Sequence, residues 1–274
     1  MAHIGTPNQP VGEFRLGLLG AGRLGQAIAR TWFLRTGQAS LVWSRSGPHV
    51  ISSGETRITE AVWVAEWTGT LAARALMIAI PARAFHDLTK DNEQAMQFTG
   101  NVFNAAASLS RETVQRAFPR ATVVHIAPFL IDGVNSIPML VLRPTDLAAS
   151  EWVKVEAEVA KFGDVEVVDD EATFAQLALL GAAWPAVVRA ALQAAVSAGV
   201  QGLEDEAAIG VGKRIFFRAM QSFLANSGLE PESSDEIVTP GGITQSGLES
   251  LGDVTTLFES VFNRMQARTN ELRA

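Results

Sequence analysis

A glycine-rich turn near the start of the chain contains the first residues whose types and spacing could do chemistry. Residues 20–25 read Gly-Ala-Gly-Arg-Leu-Gly, between the apolar stretch RLGLL and a helical pattern at 23–35. In such a turn the first glycine permits a tight bend and the second lets the backbone approach a pyrophosphate. The third lets the helix pack closely on the strand, and N–H groups at the helix start face the phosphates. The pattern predicts a dinucleotide site formed by Gly20, Gly22, Arg23, Leu24 and Gly25. A glycine turn without a ligand is the alternative.

The residues at the end of the second predicted strand, 41–44, and just after it discriminate between the two nicotinamide cofactors. An NAD site usually has an acidic residue about twenty residues after the glycines, where it binds the ribose 2′-hydroxyl. This chain has Ser44, Arg45 and Ser46 there. A carboxylate would repel a 2′-phosphate, whereas a guanidinium and two hydroxyls would hold it. We therefore expect NADP(H), the alternative being that Arg45 is a solvated loop charge.

A second glycine-rich stretch precedes the last predicted helix, which runs from about Thr244 to the end. The stretch reads Thr-Pro-Gly-Gly-Ile-Thr over residues 239–244. Adjacent N–H groups at a helix start bind a carboxylate well when no side chain blocks them. Together with a redox cofactor elsewhere in the chain, such an anion site would define a cleft for a small acid. An ordinary loop with Thr244 as the N-cap is the alternative.

Composition excludes several other functions. The chain has 274 residues, of which 47% are hydrophobic and 19% charged, as expected of a folded protein with one or two domains. Its net charge of -7 argues against a nucleic-acid partner. There is no cysteine and the four histidines are scattered, so we expect no metal site. The start, MAHIGTPNQP, has no basic region before an apolar run, so we expect no signal peptide and a cytoplasmic location.

The first half of the chain alternates predicted strands with helical stretches. This alternation is typical of an α/β fold with a doubly wound parallel sheet, and with the glycine turn it predicts an N-terminal Rossmann domain. One helix between two strands is expected to begin with Ser110 as its cap and Glu112 in its first turn. The predicted strands are 15–19, 41–44, 74–80, 101–106, 121–127, 137–142 and a small one at 165–168.

Beyond Asp169 almost everything is predicted to be helical. Between residues 172 and 203 the only charged residue is Arg189, but the many alanines favour a helix pair broken near Pro185 over a membrane span. Helices apolar on most sides need a cover, which a second subunit could provide. We therefore divide the chain into an NADP-binding domain, 1–165, and an all-helical substrate and dimerisation domain, 166–274.

Several stretches of the chain resemble a known protein family. The stretch IVTPGGITQSGL is similar to the C-terminal signature of the pyrroline-5-carboxylate reductases. Other landmarks resemble the family in the same order and cover nearly the whole chain. They are LGLLGAGRLGQAIA, WSRS, ALMIAIP and VVDDEATFAQLALLGAAWPA. The residues that fall on the C-terminal signature are Thr239, Pro240, Gly241, Gly242, Thr244, Gly247 and Leu248.

The resemblance implies hydride transfer from NADPH to the C=N bond of a cyclic imino acid, which would place the chain in proline biosynthesis. It implies that the cofactor also contacts Ile80 and Pro81. The substrate carboxylate would bind the backbone N–H groups of residues 241–244, and Thr239 would add a hydroxyl. Thr244 would also lie near the imine nitrogen as the catalytic residue. Paired helical domains would form a homodimer or a larger homo-oligomer. The substrate-binding residues implied in this way are Thr239, Gly241, Gly242, Ile243 and Thr244.

Several positions depart from the family's pattern. Ile80-Pro81-Ala82 replaces lysine-proline-glutamine, and residues 126–130 read Ile-Ala-Pro-Phe-Leu where the family has Met-Pro-Asn-Thr-Pro. The chain also has no tyrosine. These differences predict a less polar pocket, and with it a bulkier or different imine, or a protein that has lost activity.

Two other functions remain open at this stage. A β-hydroxyacid dehydrogenase has the same two-domain plan, with a catalytic lysine and an asparagine one helical turn apart. Arg189 and Gln193 have that spacing here, although a guanidinium is a poor proton donor or acceptor. The chain could also be a non-catalytic sensor that binds NADP(H).

The remaining conspicuous side chains are predicted to be structural. Trp63, Trp67 and Trp152 are expected to pack in the core. His125 is expected to be a hydrogen-bonded core histidine, the alternative being that it approaches the cofactor. The acidic run at 169–171 is expected to cap a helix.

Overall fold

The computed structural model describes residues 16–47, 61–90, 92–129, 136–182, 184–226 and 254–273. Within these ranges one eight-stranded sheet has the order β3-β2-β1-β4-β5-β6-β7-β8. The strands are β1 Leu16–Leu19, β2 Ser40–Trp43, β3 Ala61–Trp63, β4 Ala75–Ile78, β5 Asn101–Asn104, β6 Thr122–Pro128, β7 Met139–Leu142 and β8 Val165–Val168.

Helices connect these strands and then make up most of the rest of the described chain. A 3-10 helix at Trp67–Ala72 lies between β3 and β4. The α-helices are α1 Arg23–Thr36, α2 Ala82–Thr89, α3 Glu93–Gln97, α4 Arg111–Ala117, α5 Ala149–Val159, α6 Glu171–Ala182, α7 Trp184–Gly199, α8 Glu206–Asn226 and α9 Val254–Arg273.

Alternate residues of the central strands enter two separate cores, one on each face of the sheet. Leu16 and Leu18 of β1 pack with Trp32 of α1, whereas Leu19 belongs to the opposite core with Phe85 of α2. Successive strand residues point to opposite faces, so a sheet covered on both faces needs apolar residues at nearly every position. This is the reason that the strands are short, continuous apolar runs, and the doubly wound α/β fold predicted from them is confirmed.

The sheet is mostly parallel, as predicted, with one antiparallel pair among the described strands. Strand β7, which corresponds to the strand predicted at 137–142, pairs antiparallel with β6, with His125 opposite Leu142. The connection spans only residues 129–138, which is shorter than the dozen or more residues that a parallel crossover needs. Strand β8 continues the sheet by pairing parallel with β7, and β3, which was not predicted, pairs parallel with β2.

The predicted helix pair is present as α6 and α7. Helix α6 ends at Ala182 and α7 begins at Trp184, so Pro185 belongs to the first turn of α7, where its missing N–H breaks no helical hydrogen bond. None of the helices in the described ranges has the length and apolar character needed to cross a membrane.

The chain divides into two compact units. The first contains the described residues up to Ala182 and the end of α9 from Gln266, and the second contains the described residues between 184 and 265. The sequence predicted a boundary near residue 165, before β8. The difference arises because β8 is hydrogen-bonded into the sheet and α6 packs on it through Phe174, which lies in a cluster with Leu140 and Leu142 of β7.

Side chains cap two helices as their sequences predict. The Ser110 side chain accepts a hydrogen bond from the Thr113 N–H at the start of α4. At the start of α6, Asp170 accepts one from the Thr173 N–H at 2.6 Å. These bonds satisfy N–H groups that have no partner within the helix.

We expect Ser110→Ala to lower the free energy of unfolding by about 1 kcal/mol, because the first turn of α4 loses its acceptor. Urea denaturation followed by tryptophan fluorescence measures the change. Ser150→Ala, an exposed position in the first turn of α5, is the matched control and should change stability by less than about 0.5 kcal/mol. Equal losses in the two variants would contradict the capping role.

Candidate functional site

The strand order reverses at β1, which is the point where a doubly wound sheet opens a crevice. From β1 the chain proceeds outward through β2 and β3 on one side, and β4, β5 and β6 lie on the other. Ligands bind such sheets outside the carboxyl ends of the strands at this switch point. Gly20 follows the end of β1 and Ile80 follows the end of β4, so both lie at this edge.

A cleft of about 350 Å³ occupies this edge. It brings together three of the predicted cofactor residues, namely Leu24 of α1 and the Ile80-Pro81 pair after β4. The loop between β5 and α4 forms its remaining wall, and Ser108 is the one residue of the lining with a polar side chain. The lining consists of Leu24, Ala79, Ile80, Pro81, Ala105, Ala106, Ala107 and Ser108.

Two of the three motif glycines are required by contacts within the chain. Gly20 has φ +106°, a conformation that side chains disfavour, and a Cβ there would collide with the Ala79 carbonyl oxygen. A Cβ on Gly25 would collide with the carbonyl oxygen of Gly20. These two glycines therefore let α1 start close to the turn that ends β1.

The middle glycine is different, because no contact in the described chain requires it. A Cβ on Gly22 would meet nothing within 4 Å, and its φ of -68° suits any residue. Gly22 is also the N-cap of α1 and makes no side-chain hydrogen bond, and the first turn of α1 contains no acidic residue. The start of the helix thus has an exposed, unblocked backbone, which is the arrangement that favours a bound anion.

Hydrogen bonds from both neighbouring strands hold the glycine turn. The Gly20 N–H donates to the Trp43 carbonyl at 2.8 Å, and the Ala79 N–H donates to the Leu19 carbonyl at 2.8 Å. The Gln26 side chain donates to the Ala21 carbonyl at 2.7 Å. The turn is therefore fixed before any ligand arrives.

The predicted selectivity residues form a tight turn beside this site. The Gly47 N–H donates to the Ser44 carbonyl at 2.9 Å and closes a turn in which Arg45 and Ser46 are exposed. Ser44 directly follows Trp43, whose carbonyl holds the Gly20 N–H. Arg45 makes no ion pair with any other residue in the described ranges, so its guanidinium can meet an anion from solvent.

A buried asparagine, to which the sequence assigned no role, holds the loop that lines the cleft. Asn104, the last residue of β5, is fully buried. Its Oδ1 accepts the Ala106 N–H at 3.0 Å, and its Nδ2 donates to the Leu109 carbonyl at 3.0 Å. The available signal was an amide side chain at the carboxyl end of a strand with two apolar residues at its centre, followed by three alanines and a serine.

His125 lies next to Asn104 on β6 and is 4% exposed, in agreement with the prediction of a core histidine. Its Nε2 is 2.7 Å from the Asn104 Nδ2. Its ring stacks on Phe174 of α6, with 5.5 Å between ring centroids. Of the tryptophans predicted to pack, Trp67 and Trp152 are buried in the two cores, and Trp63 is half-buried against one of them.

The predicted substrate residues lie outside the described part of the chain. They are Thr239, Gly241, Gly242, Ile243 and Thr244. Among the residues that the structure does describe, no group of three potential ligands could hold a metal ion.

The glycine geometry predicts that the same substitution, glycine to alanine, has a large effect on stability at Gly25 and a small one at Gly22. We expect Gly25→Ala to destabilise the protein by about 1–3 kcal/mol or more, because the new methyl group meets a backbone oxygen. Gly22→Ala should change stability by less than about 0.5 kcal/mol, since a weaker N-cap is offset by the reduced freedom of the unfolded chain. Thermal unfolding of both purified variants measures the contrast. A large loss in Gly22→Ala would show that the chain itself needs this glycine.

Comparison with known proteins gives one curated relative and several solved structures. The chain is 28% identical over 158 residues to pyrroline-5-carboxylate reductase 2 of Bacillus subtilis (strain 168). That match covers 56% of this chain and spans about half of the relative's length, 55%. No protein-family model matches the sequence.

Two solved structures share the fold over almost their whole length. One is a Plasmodium falciparum pyrroline carboxylate reductase with NADP bound, with a TM-score of 0.75 and 13% identity over 96% of this chain and 99% of that one. The other is a pyrroline-5-carboxylate reductase from Coxiella burnetii, with a TM-score of 0.74 and 16% identity over 96% and 99% of the two chains. The resemblance seen in the sequence is therefore confirmed, at the distance of a divergent relative.

Proposed function

Since the chain is a divergent relative of the pyrroline-5-carboxylate reductases, we propose that it is an NADP(H)-dependent oxidoreductase. Its substrate would be a small cyclic imino acid, pyrroline-5-carboxylate or a related imine, whose C=N bond is reduced. The curated relative and the solved structure with NADP bound support this choice of reaction and cofactor.

The observation that carries the proposal is the open space at Gly22. A glycine that no neighbour within the described chain requires, at the uncapped start of a helix on the switch point, fits a site for the cofactor's pyrophosphate. Gly20 and Gly25 set the position of that backbone, and Arg45 with the two serines beside it offers a cation and hydroxyls for a 2′-phosphate.

The character of the cleft favours an imine over a keto acid. Bound NADPH would supply the hydride for the carbon of the C=N bond. Reduction of a keto acid also needs a group that gives a proton to the developing alkoxide, whereas a protonated imine already has its proton. The described lining holds no ionisable side chain, and Ser108 is its one hydroxyl. Leu24, Ile80 and the alanines would instead exclude water and orient the reactants.

In this proposal the substrate binds through residues 239–244. Backbone N–H groups of Gly241, Gly242, Ile243 and Thr244 would hold its carboxylate, and Thr239 would contribute a hydroxyl. A homodimer or larger homo-oligomer also stays a prediction. Exposed apolar side chains such as Ile215 of α8, which is 63% exposed, are compatible with it.

We expect Arg45→Ala to weaken NADPH binding by about tenfold to a hundredfold, the usual value of a hydrogen bond to a charged group. Binding of NADH, which lacks the 2′-phosphate, should stay within about twofold. Calorimetry with both cofactors measures the difference. Arg30→Ala, an exposed position on α1, is the control and should leave both affinities unchanged. Equal losses for the two cofactors would contradict recognition of the 2′-phosphate.

Substrate class is tested by incubating the protein with NADPH and a panel of cyclic imines, imino acids and 3-keto acids. We expect NADPH oxidation with imino acids, and we expect Thr244→Ala to lower kcat/KM for them at least about tenfold while NADPH affinity is unchanged. Turnover with keto acids alone would exclude the proposal in favour of a hydroxyacid dehydrogenase. Tight NADPH binding without turnover on any compound would favour a cofactor sensor.

A further inference from the structure

We propose that Asn104 and His125 are a positioning pair that holds the loop Ala105–Ser108 against the cleft, and that the pair forms only while the imidazole is neutral. The inference rests on the proposed function in one respect, since the loop would act on a cofactor bound in the cleft. Neither Asn104 nor His125 lines that cleft, so both act through the loop.

The amide of Asn104 ties both ends of the loop. Its Oδ1 accepts the Ala106 N–H and its Nδ2 donates to the Leu109 carbonyl, each at 3.0 Å. A third bond, from the Leu109 N–H to the Ala106 carbonyl at 3.0 Å, closes the loop on itself. Since Ala105–Ser108 form one wall of the cleft, a single buried side chain determines where this wall lies.

These two bonds also determine which end of the amide faces the histidine. Turning the Asn104 side chain over would place its NH₂ against the Ala106 N–H and its oxygen against the Leu109 carbonyl. The atom 2.7 Å from His125 Nε2 is therefore the Asn104 Nδ2, which can only donate. Nε2 must then accept, so the ring proton lies on Nδ1 and the imidazole is neutral.

The histidine ring is itself held in position. It is 4% exposed, and its Cα is in register with that of Asn104 on the adjacent strand. On its other side it stacks on Phe174 at 5.5 Å with 25° between the ring planes. Protonation at Nε2 would bring an N–H donor against the Asn104 NH₂, which is also a donor, so the Asn104 amide would have to turn and give up its bonds to the loop.

A carboxylate near His125 favours the protonated imidazole, whereas burial of the ring disfavours it. On α4, Glu112 interacts electrostatically with His125, and its carboxylate favours an imidazolium. The pKa of Glu112 is lowered by its own backbone N–H and by the Ser110 hydroxyl, so the carboxylate keeps its charge in mild acid. Its neighbour Arg111 is paired with Asp146 at 2.7 Å.

The other described elements that pack on His125, namely β7, α6 and β5, present fewer charged groups to it than α4 does. On β7 the residue opposite His125 is the apolar Leu142, and the following Arg143 is paired with Asp169 at 2.6 Å. The first turn of α6 contains Glu171, and the Asp170 that precedes it holds the Thr173 N–H. On β5 the neighbour is Asn104 itself.

Two measurements on the wild-type protein without cofactor or substrate test the pair. Nitrogen-15 NMR at about pH 8 should show the ring proton of His125 on Nδ1. Hydrogen exchange of the Ala106 amide, corrected for the intrinsic pH dependence, should lose at least about tenfold of its protection in step with protonation of His125. A proton on Nε2, or protection of Ala106 that does not follow the histidine, would overturn the proposal.

Three variants separate positioning from general stability. His125→Gln keeps an acceptor that does not titrate. Its Ala106 protection and NADPH affinity should not change over the pH range in which the wild-type values do. His125→Leu lacks the acceptor, and Asn104→Ala lacks the bonds to the loop. In both we expect Ala106 protection to fall at every pH and NADPH binding to weaken at least about fivefold. A pH profile of His125→Gln identical to the wild type would overturn the pair even if the other two variants fail to fold.

Failure of this inference is distinguishable from failure of the proposed function. If the wild type does not bind NADPH but shows the Nδ1 proton and the pH-linked Ala106 amide, the cofactor assignment is wrong and the loop anchor is supported. If NADPH binds and imines are reduced while the proton lies on Nε2, the proposed function stands and the positioning pair does not exist.

Discussion

The close approach of α1 to the turn that ends β1 is the contact on which the rest of the site depends. A side chain at Gly25 would collide with the Gly20 carbonyl, and one at Gly20 would collide with the end of β4. Because both positions are glycine, the helix starts beside the switch point of the sheet with its first turn toward solvent. The backbone at Gly22 is then exposed, and an anion can reach it without displacing any of the described residues.

The described residues at this edge of the sheet carry few polar side chains, and this bears on the mechanism. The described residues that wall its cleft are Leu24, Ile80, Pro81, Ser108 and four alanines, and none of them could serve as a strong acid or base. A site of this kind contributes by position and by exclusion of water rather than by proton transfer. The described lining is therefore compatible with the proposed substrate, an imine that arrives with its own proton.

The position of the cleft wall formed by Ala105–Ser108 in turn depends on buried polar groups behind it. Asn104 is fully buried, and each of its polar atoms has a partner. A satisfied buried amide favours one arrangement of its neighbours, because any other arrangement leaves a polar group unpaired in a low dielectric. His125 extends this arrangement to α6 through its stack on Phe174. The cleft wall is thus linked to elements on the far side of β6.

The sequence by itself determined the fold class, the glycine turn, the caps at Ser110 and Asp170, and the helix pair near Pro185. These features depend on local spacing and on apolar runs, which a linear reading can detect. Tertiary structure alone decided the antiparallel direction of β7, the inclusion of β8 in the sheet, and the role of Asn104. Strand direction follows from the length of a connection relative to the space it must cross, and the role of a buried amide follows from which strand lies beside it. Both depend on which strands lie side by side in the sheet, and no single stretch of residues contains that order.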